Sequence, residues 1–134
     1  MRNKNIVVGI TGGIAAYKSA ELVRMLRSQG AEVRVVMTKN AQEFITPLTM
    51  QTLSCNTVYT GMFDQHKTSL EHIELARWAD VIVIAPASAN FIAKLAHGLA
   101  DDLLSTVCLA TTSPIAIAPA MNKEMWDAVI TQKN

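Results

Sequence analysis

The chain has little of what several protein classes require. Of its 134 residues only two are cysteine, Cys55 and Cys108, far apart and in no metal-ligand spacing. A disulfide framework and a cysteine metal site are thereby excluded, no metal is expected, and both thiols are expected reduced and buried. Charged residues are scarce at 17%, and 12 Lys and Arg against 11 Asp and Glu leave a net charge of +1. The basic surplus or basic run of a nucleic-acid-binding surface is missing. No apolar stretch reaches the roughly 18 residues that cross a bilayer. The opening Met1-Arg2-Asn3-Lys4 leads into a short strand instead of a signal core, so a cytoplasmic protein without membrane attachment is expected. Nothing repeats and no linker or low-complexity segment divides the chain, so residues 1–134 are expected to form one domain.

Hydrophobicity, by contrast, is plentiful. Half of the residues are hydrophobic and the mean hydropathy is +0.22. That is too apolar for a disordered chain, and high for one that must cover its whole surface with polar groups, so part of the surface is expected to be buried by a partner.

Residues 5–10 form a β-branched run that ends in Thr11-Gly12-Gly13. From Ile14 to Gln29 the apolar residues Leu22, Val23, Met25 and Leu26 recur at helical spacing, Gly30 stands where a helix C-terminal glycine belongs, and residues 31–37 read as a second strand. A short helix ending before Pro47 and another beginning with it are expected over 41–54, then a polar, irregular stretch over 61–70 and a short helix over 72–76. Residues 80–85 are an unbroken β-branched run, expected as a parallel strand buried on both faces and stopped by Pro86. Helices over 90–96 and 101–110 hinge at Gly98, a short strand covers 115–118 before Pro119, and one helix covers 123–130. The chain stops four residues after Ile130 without a cap or closing strand, so the folded unit is expected to continue past Asn134.

Strands alternating with helices predict an open three-layer α/β fold, a Rossmann-like or flavodoxin-like parallel sheet with helices on both faces. Such sheets bind ligands beyond the carboxyl ends of their strands, and three motifs follow a strand there: residues 11–18, 86–90 and 119–122. Gly12-Gly13 opening a helix leaves unpaired N–H groups at a positive dipole end, a natural place for a phosphate, although a glycine turn can also simply join strand to helix. The dinucleotide fingerprint is absent, and Thr38-Lys39 stands where an acid should meet the ribose, so NAD is disfavoured. Residues 12–19 also miss the P-loop pattern, because Tyr17 replaces its second glycine.

Taken together, Gly12-Gly13-Ile14-Ala15-Ala16-Tyr17-Lys18, Thr38-Lys39-Asn40-Ala41-Gln42-Glu43-Phe44-Ile45, His72-Ile73-Glu74-Leu75-Ala76, Pro86-Ala87-Ser88-Ala89-Asn90 and Pro119-Ala120-Met121-Asn122-Lys123-Glu124-Met125-Trp126 resemble the homo-oligomeric flavin-containing cysteine decarboxylases. Within that family the phosphopantothenoylcysteine decarboxylases are most similar, and the resemblance covers nearly the whole chain. It implies FMN as cofactor, with Gly12, Gly13, Ile14 and Ala15 at the phosphate, Thr38 and Phe44 at the ribityl chain and ring, and Ala85, Pro86, Ala87, Ser88 and Ala89 along the flavin. Ser88 or Asn90 is also expected to cap the helix that starts there. The resemblance makes His72 the catalytic base and gives Asn90 and Asn122 the substrate carboxylate or its neighbouring amide. An imidazole is suited to taking a thiol proton at neutral pH, and amide donors orient a carboxylate without the salt bridge that opposes its departure. Met121 and Met125, with Trp126, would form apolar wall, or else ordinary core. His66 and His97 have no such context.

The implied reaction converts 4′-phosphopantothenoylcysteine to 4′-phosphopantetheine in coenzyme A biosynthesis, through a thioaldehyde and an enethiolate. The cofactor carries the redox chemistry and the protein supplies position and dipoles. The family's acid, a cysteine beyond the second asparagine motif, has no counterpart in this chain, since neither Cys55 nor Cys108 lies in that motif, and Phe91 is bulkier than the residue usual there. The family also implies a homotrimer or a multiple of trimers, with flavin at the subunit interface. Rival readings are a decarboxylase of peptide C-terminal cysteines, a flavin prenyltransferase, a non-catalytic flavin-binding regulatory subunit and a non-flavin nucleotide-binding domain.

Overall fold

The computed structural model describes residues 2–61 and 71–134. Its order is β1 (Asn5–Ile10), a 3-10 turn (Ile14–Ala16), α1 (Tyr17–Ser28), β2 (Glu32–Met37), a 3-10 turn (Asn40–Glu43), α2 (Pro47–Ser54), α3 (Glu71–Trp78), β3 (Val81–Ala87), α4 (Ala89–His97), α5 (Leu103–Ala110), β4 (Ile115–Pro119), α6 (Lys123–Asp127) and α7 (Val129–Lys133). Most of the irregular stretch expected over 61–70, with His66, lies outside the described residues. No helix among the described residues is long and apolar enough to cross a membrane.

The strands form one parallel sheet in the order β2-β1-β3-β4. Side chains alternate across it, as the two-residue period of a strand requires. Ile6, Val8 and Ile10 of β1 join Val33, Val35 and Met37 of β2 in a core with Val23 of α1 and Met50 of α2. Val7, Val36, Ile82 and Ile84 face the other way, against Leu75 of α3, Phe91 of α4 and Leu104 and Val107 of α5. The result is the three-layer, Rossmann-like or flavodoxin-like α/β fold expected from the sequence. Gly9 is needed on the second face, because a Cβ there would lie 2.6 Å from a Leu104 methyl and 2.8 Å from one of Ile84.

The structure corrects the sequence reading in several places. Both prolines expected to stop strands lie inside them: β3 runs through Pro86 to Ala87, with a cis Ala85–Pro86 peptide, and β4 ends on Pro119. Pro86 is tolerated because the ladder to β1 has already ended at Gly9 opposite Ile84, and Pro119 because β4, among the described residues, pairs with β3 alone, so a missing N–H breaks no second ladder there. β3 is not buried on both faces: Ile82 and Ile84 are fully buried, whereas Val81 and Val83 are half-buried. The core on their side is centred on β1 and β2.

The helix expected over 123–130 is two helices, broken at Ala128, whose φ of −59° and ψ of 137° are not helical. Gln132 Nε2 donates to the Trp126 carbonyl at 2.6 Å, replacing a bond that a continuous helix would make. Cys108 is buried as expected, but Cys55 is exposed. It ends α2 in the left-handed region at φ 57°, with its Sγ 2.6 Å from Arg27 Nη1.

Candidate functional site

The four strands run the same way, so their carboxyl ends converge on one edge, and the loops leaving them carry most of the motifs. Hydrogen bonds tie those ends together. Thr38 N–H donates to Ile10 O at 3.0 Å, and Ala120 N–H donates to Ala87 O at 3.0 Å. Thr11 Oγ1 donates to Pro86 O at 2.6 Å and accepts from Ser88 N–H at 3.0 Å, and Ser19 Oγ donates to Ala85 O at 2.6 Å.

The two glycines of the first turn differ in what requires them. A Cβ on Gly12 would stand 2.5 Å from Asn40 Cβ and 3.2 Å from its carbonyl carbon, so the fold itself excludes a side chain there. At Gly13 nothing lies within 4 Å of such a Cβ, and φ 175° with ψ 155° is extended backbone open to any residue. The space over Gly13 is therefore open, and the N–H groups of Gly13, Ile14 and Ala15 precede the first turn's bond, Ala16 N–H to Gly13 O at 2.9 Å. Unpaired donors beside open space at a helix start suit an anionic oxygen.

Around this turn stand apolar side chains with little protein cover: Ile14 is 80% exposed and Phe44 51%. Thr38 is half-buried, with Oγ1 accepting from Ala41 N–H at 3.2 Å, which leaves the hydroxyl hydrogen available. Along the β3–α4 connection Pro86 and Ala87 are buried, while Ala85, Ser88 and Ala89 are half-buried. Small side chains here let a flat ligand approach the backbone. Donors for a phosphate, an apolar rim and a narrow small-residue wall on one edge together fit a phosphate-bearing flavin.

Ser88, not Asn90, caps α4, accepting from Phe91 N–H at 3.2 Å. Asn90 is consequently an exposed first-turn residue whose amide has no hydrogen-bond partner among the described residues. Asn122 caps α6, its Oδ1 accepting from Met125 N–H at 2.9 Å. This fixes the amide orientation, so that Nδ2 is left free to donate. Met121 is half-buried against the α3–α5 core, whereas Met125 and Trp126 are each 45% exposed, so ordinary core packing does not explain those two. His72 lies half-buried in the first turn of α3, and the described residues join it to none of the strand-end groups. His97 is exposed in the last turn of α4.

Thr11 and Ser19 fell within the glycine-turn motifs without a role of their own, yet each is 2% exposed and holds the β3–α4 connection. Ser19 had a legible signal, since it stands four residues before buried Val23 and so puts a polar group on the buried face of α1. A groove of about 340 Å³ near Lys94, Leu95, Cys108 and Ile115 contains none of the motif residues. No cluster of His, Cys, Asp or Glu able to hold a metal occurs among the described residues.

Comparison with known proteins agrees with this geometry. A family model described as Flavoprotein matches residues 1–134. The coenzyme A biosynthesis bifunctional protein CoaBC of Haemophilus influenzae is 60% identical over 135 residues, spanning 100% of this chain and 34% of that protein. The chain thus spans about one third of the length of the curated relatives it matches. Among solved structures, the FMN-dependent cysteine decarboxylase SpaF matches with a TM-score of 0.90 at 36% identity, covering 97% of this chain and 75% of that one. A mutant PPC decarboxylase complexed with pantothenoylaminoethenethiol matches with a TM-score of 0.86 at 37% identity, covering 98% and 75%.

Proposed function

The chain belongs to the flavoprotein family, and from that premise we propose that it binds FMN and decarboxylates 4′-phosphopantothenoylcysteine to 4′-phosphopantetheine in coenzyme A biosynthesis. The observation that carries the reading is the open space over Gly13, flanked by N–H groups of Ile14 and Ala15 that have no partner among the described residues and set across from the small-residue wall of β3. The identity to a coenzyme A biosynthesis protein supports the substrate, and the likeness to a PPC decarboxylase supports the reaction. The ethenethiol named with that structure stands one oxidation level above an ethanethiol, which is in keeping with a redox cofactor.

Bound FMN supplies reversible two-electron acceptance beside the substrate's thiol-bearing carbon. The rest falls to the protein. The N–H groups at Gly13, Ile14 and Ala15 hold the phosphate, with the dipole of the helix start behind them. Phe44 and Ile14 cover apolar ligand surface, and residues 85–89 face the ring through backbone groups. The His72 imidazole takes the proton from the substrate sulfur. Asn90 and Asn122 direct amide hydrogens at the substrate carboxylate, orienting it for loss as carbon dioxide without an ion pair. For Asn122 the cap on Met125 supports this role, because Oδ1 is engaged and Nδ2 is the end left to donate.

Among the described residues His72 is joined to no strand-end group, and Ile14 and Phe44 leave 80% and 51% of their surface uncovered. Both observations support an assembly in which a neighbour's His72 completes each site, and the family resemblance makes that assembly a homotrimer or a multiple of trimers. The deciding experiment is an absorption spectrum, followed by anaerobic addition of 4′-phosphopantothenoylcysteine. Flavin bands that bleach on addition are the expected result. Bands that persist leave a flavin binder with another substrate or none, and a protein that stays colourless with added FMN refutes the proposal.

A further inference from the structure

The β1–β3 ladder ends at Gly9 opposite Ile84, and the pairing of β3 with β4 shifts register between Ile84 and Ala87. Over the residues that follow, much of the backbone is held by side-chain hydroxyls. Ser19 Oγ donates to Ala85 O at 2.6 Å, while Pro86 O accepts from Thr11 Oγ1 at 2.6 Å and from Thr11 N–H at 3.3 Å, and Thr11 Oγ1 receives Ser88 N–H at 3.0 Å. Pro86 has no N–H with which to extend a ladder, so these bonds stand in for it. Both hydroxyls come from the unit that carries the glycine turn: Thr11 directly precedes Gly12, and Ser19 lies in the helix that the turn opens. Thr11 and Ser19 are each 2% exposed; without the Thr11 hydroxyl the Ser88 N–H loses its acceptor and the Pro86 carbonyl keeps only the longer bond from Thr11 N–H, and without the Ser19 hydroxyl the Ala85 carbonyl loses its tie to α1.

We infer that Thr11 and Ser19 are positioning residues for the flavin, locking the wall formed by residues 85–89 at a fixed distance from the phosphate-binding turn. The inference rests on the FMN reading above. A ligand with phosphate at one end and a ring at the other gains from both half-sites only when their separation is set before it binds. Here two adjacent carbonyls of the ring wall are fastened to the β1–α1 unit by two buried hydroxyls. Neither hydroxyl has to touch the ligand for this to hold.

The test is titration of the full chain with FMN and with riboflavin, recording affinity and the shape of the bound flavin's absorption bands. Thr11→Val keeps volume and removes the hydroxyl, and Ser19→Ala removes the other. Each is expected to weaken FMN binding at least about tenfold and to change the band shape, while Thr11→Ser stays within about threefold of wild type. Val33→Ala, a cavity in the β2 core, serves as the comparator: it lowers stability but is expected to leave FMN affinity and band shape alone. If a folded Thr11→Val or Ser19→Ala protein binds FMN within about threefold of wild type with an unchanged spectrum, the inference is overturned. If Thr11→Val fails to fold, Ser19→Ala decides alone. Failure of the wild-type protein to bind FMN instead overturns the cofactor reading, which the titration separates from the positioning role.

Discussion

Gly12 and Gly13 are neighbours, yet alanine at the two positions is expected to have opposite effects. At Gly12 the new methyl would meet Asn40 Cβ at 2.5 Å and the Asn40 carbonyl carbon at 3.2 Å, and Asn40 begins a 3-10 turn whose backbone must shift to make room. Overpacking of that kind costs about 1–3 kcal/mol. At Gly13 the methyl meets nothing within 4 Å and the backbone is extended, so the native state carries no strain. The unfolded chain loses conformational freedom, so Gly13→Ala should be neutral or stabilising by up to about 1 kcal/mol. Urea unfolding of the flavin-free proteins, followed by circular dichroism, reads both numbers. Flavin binding should then separate from stability: Gly13→Ala, the stable variant, should weaken FMN at least about tenfold and affect riboflavin, which lacks the phosphate, far less. Two results refute the reasoning. If Gly13→Ala is destabilised as much as Gly12→Ala, the space is not open. If it binds FMN like wild type, no phosphate approaches that backbone.

Asn122 allows a similar separation. Asn122→Asp keeps an acceptor for Met125 N–H and should change stability by less than about 0.5 kcal/mol, whereas Asn122→Ala should cost about 1 kcal/mol. Both should fail in substrate-dependent bleaching, and an active Asn122→Asp protein would show that the amide donor is not used. His72→Asn should leave flavin bound and abolish the bleaching; unchanged bleaching removes His72 as the base. Burial, with a smaller contribution from the Asp102 carboxylate, pushes the Cys108 thiol from the ordinary 9.0 up to about 12. As pH rises past 9.0 the unfolded chain releases this proton before the folded one does, so stability is lost between 9.0 and about 12. The loss reaches about 1.4 kcal/mol per pH unit, and Cys108→Ala should lack that component in urea unfolding across the range; identical slopes refute it.

Much of the fold was legible because strand and helix periods are local properties. The β-branched run in residues 5–10 and the valine-rich stretch over 31–37 announce two strands, and the apolar spacing between Leu22 and Leu26 announces the helix between them. The glycine turn was legible for the same reason, since phosphate-binding turns are built from consecutive backbone N–H groups. The errors fall where a residue's state depends on distant partners. Pro86 reads as a strand stop, yet its carbonyl is caught by Thr11, 75 residues earlier in the chain. Cys55 reads as a buried thiol, but a left-handed helix end turns it outward beside Arg27. Ser88 and Asn90 are equal candidates for a cap until the backbone shows which precedes the first helical turn. Ala128 breaks a helix with neither proline nor glycine to announce it.

The order of elements, the parallel three-layer fold and the placing of the glycine turn, the Pro86–Asn90 segment and the Pro119–Asn122 segment near strand ends were written in the chain, because side-chain period and backbone preference act over a few residues. It took the folded chain to show that Gly12 serves packing while Gly13 faces open space, that Asn122 is held with its donor end free, and that Thr11 and Ser19 fasten residues 85–88 to the glycine turn. The Asn122 cap is local and needs only the backbone's course, but the others depend on which groups approach or stay clear across the sheet, and contacts between distant segments leave no period in the chain that makes them.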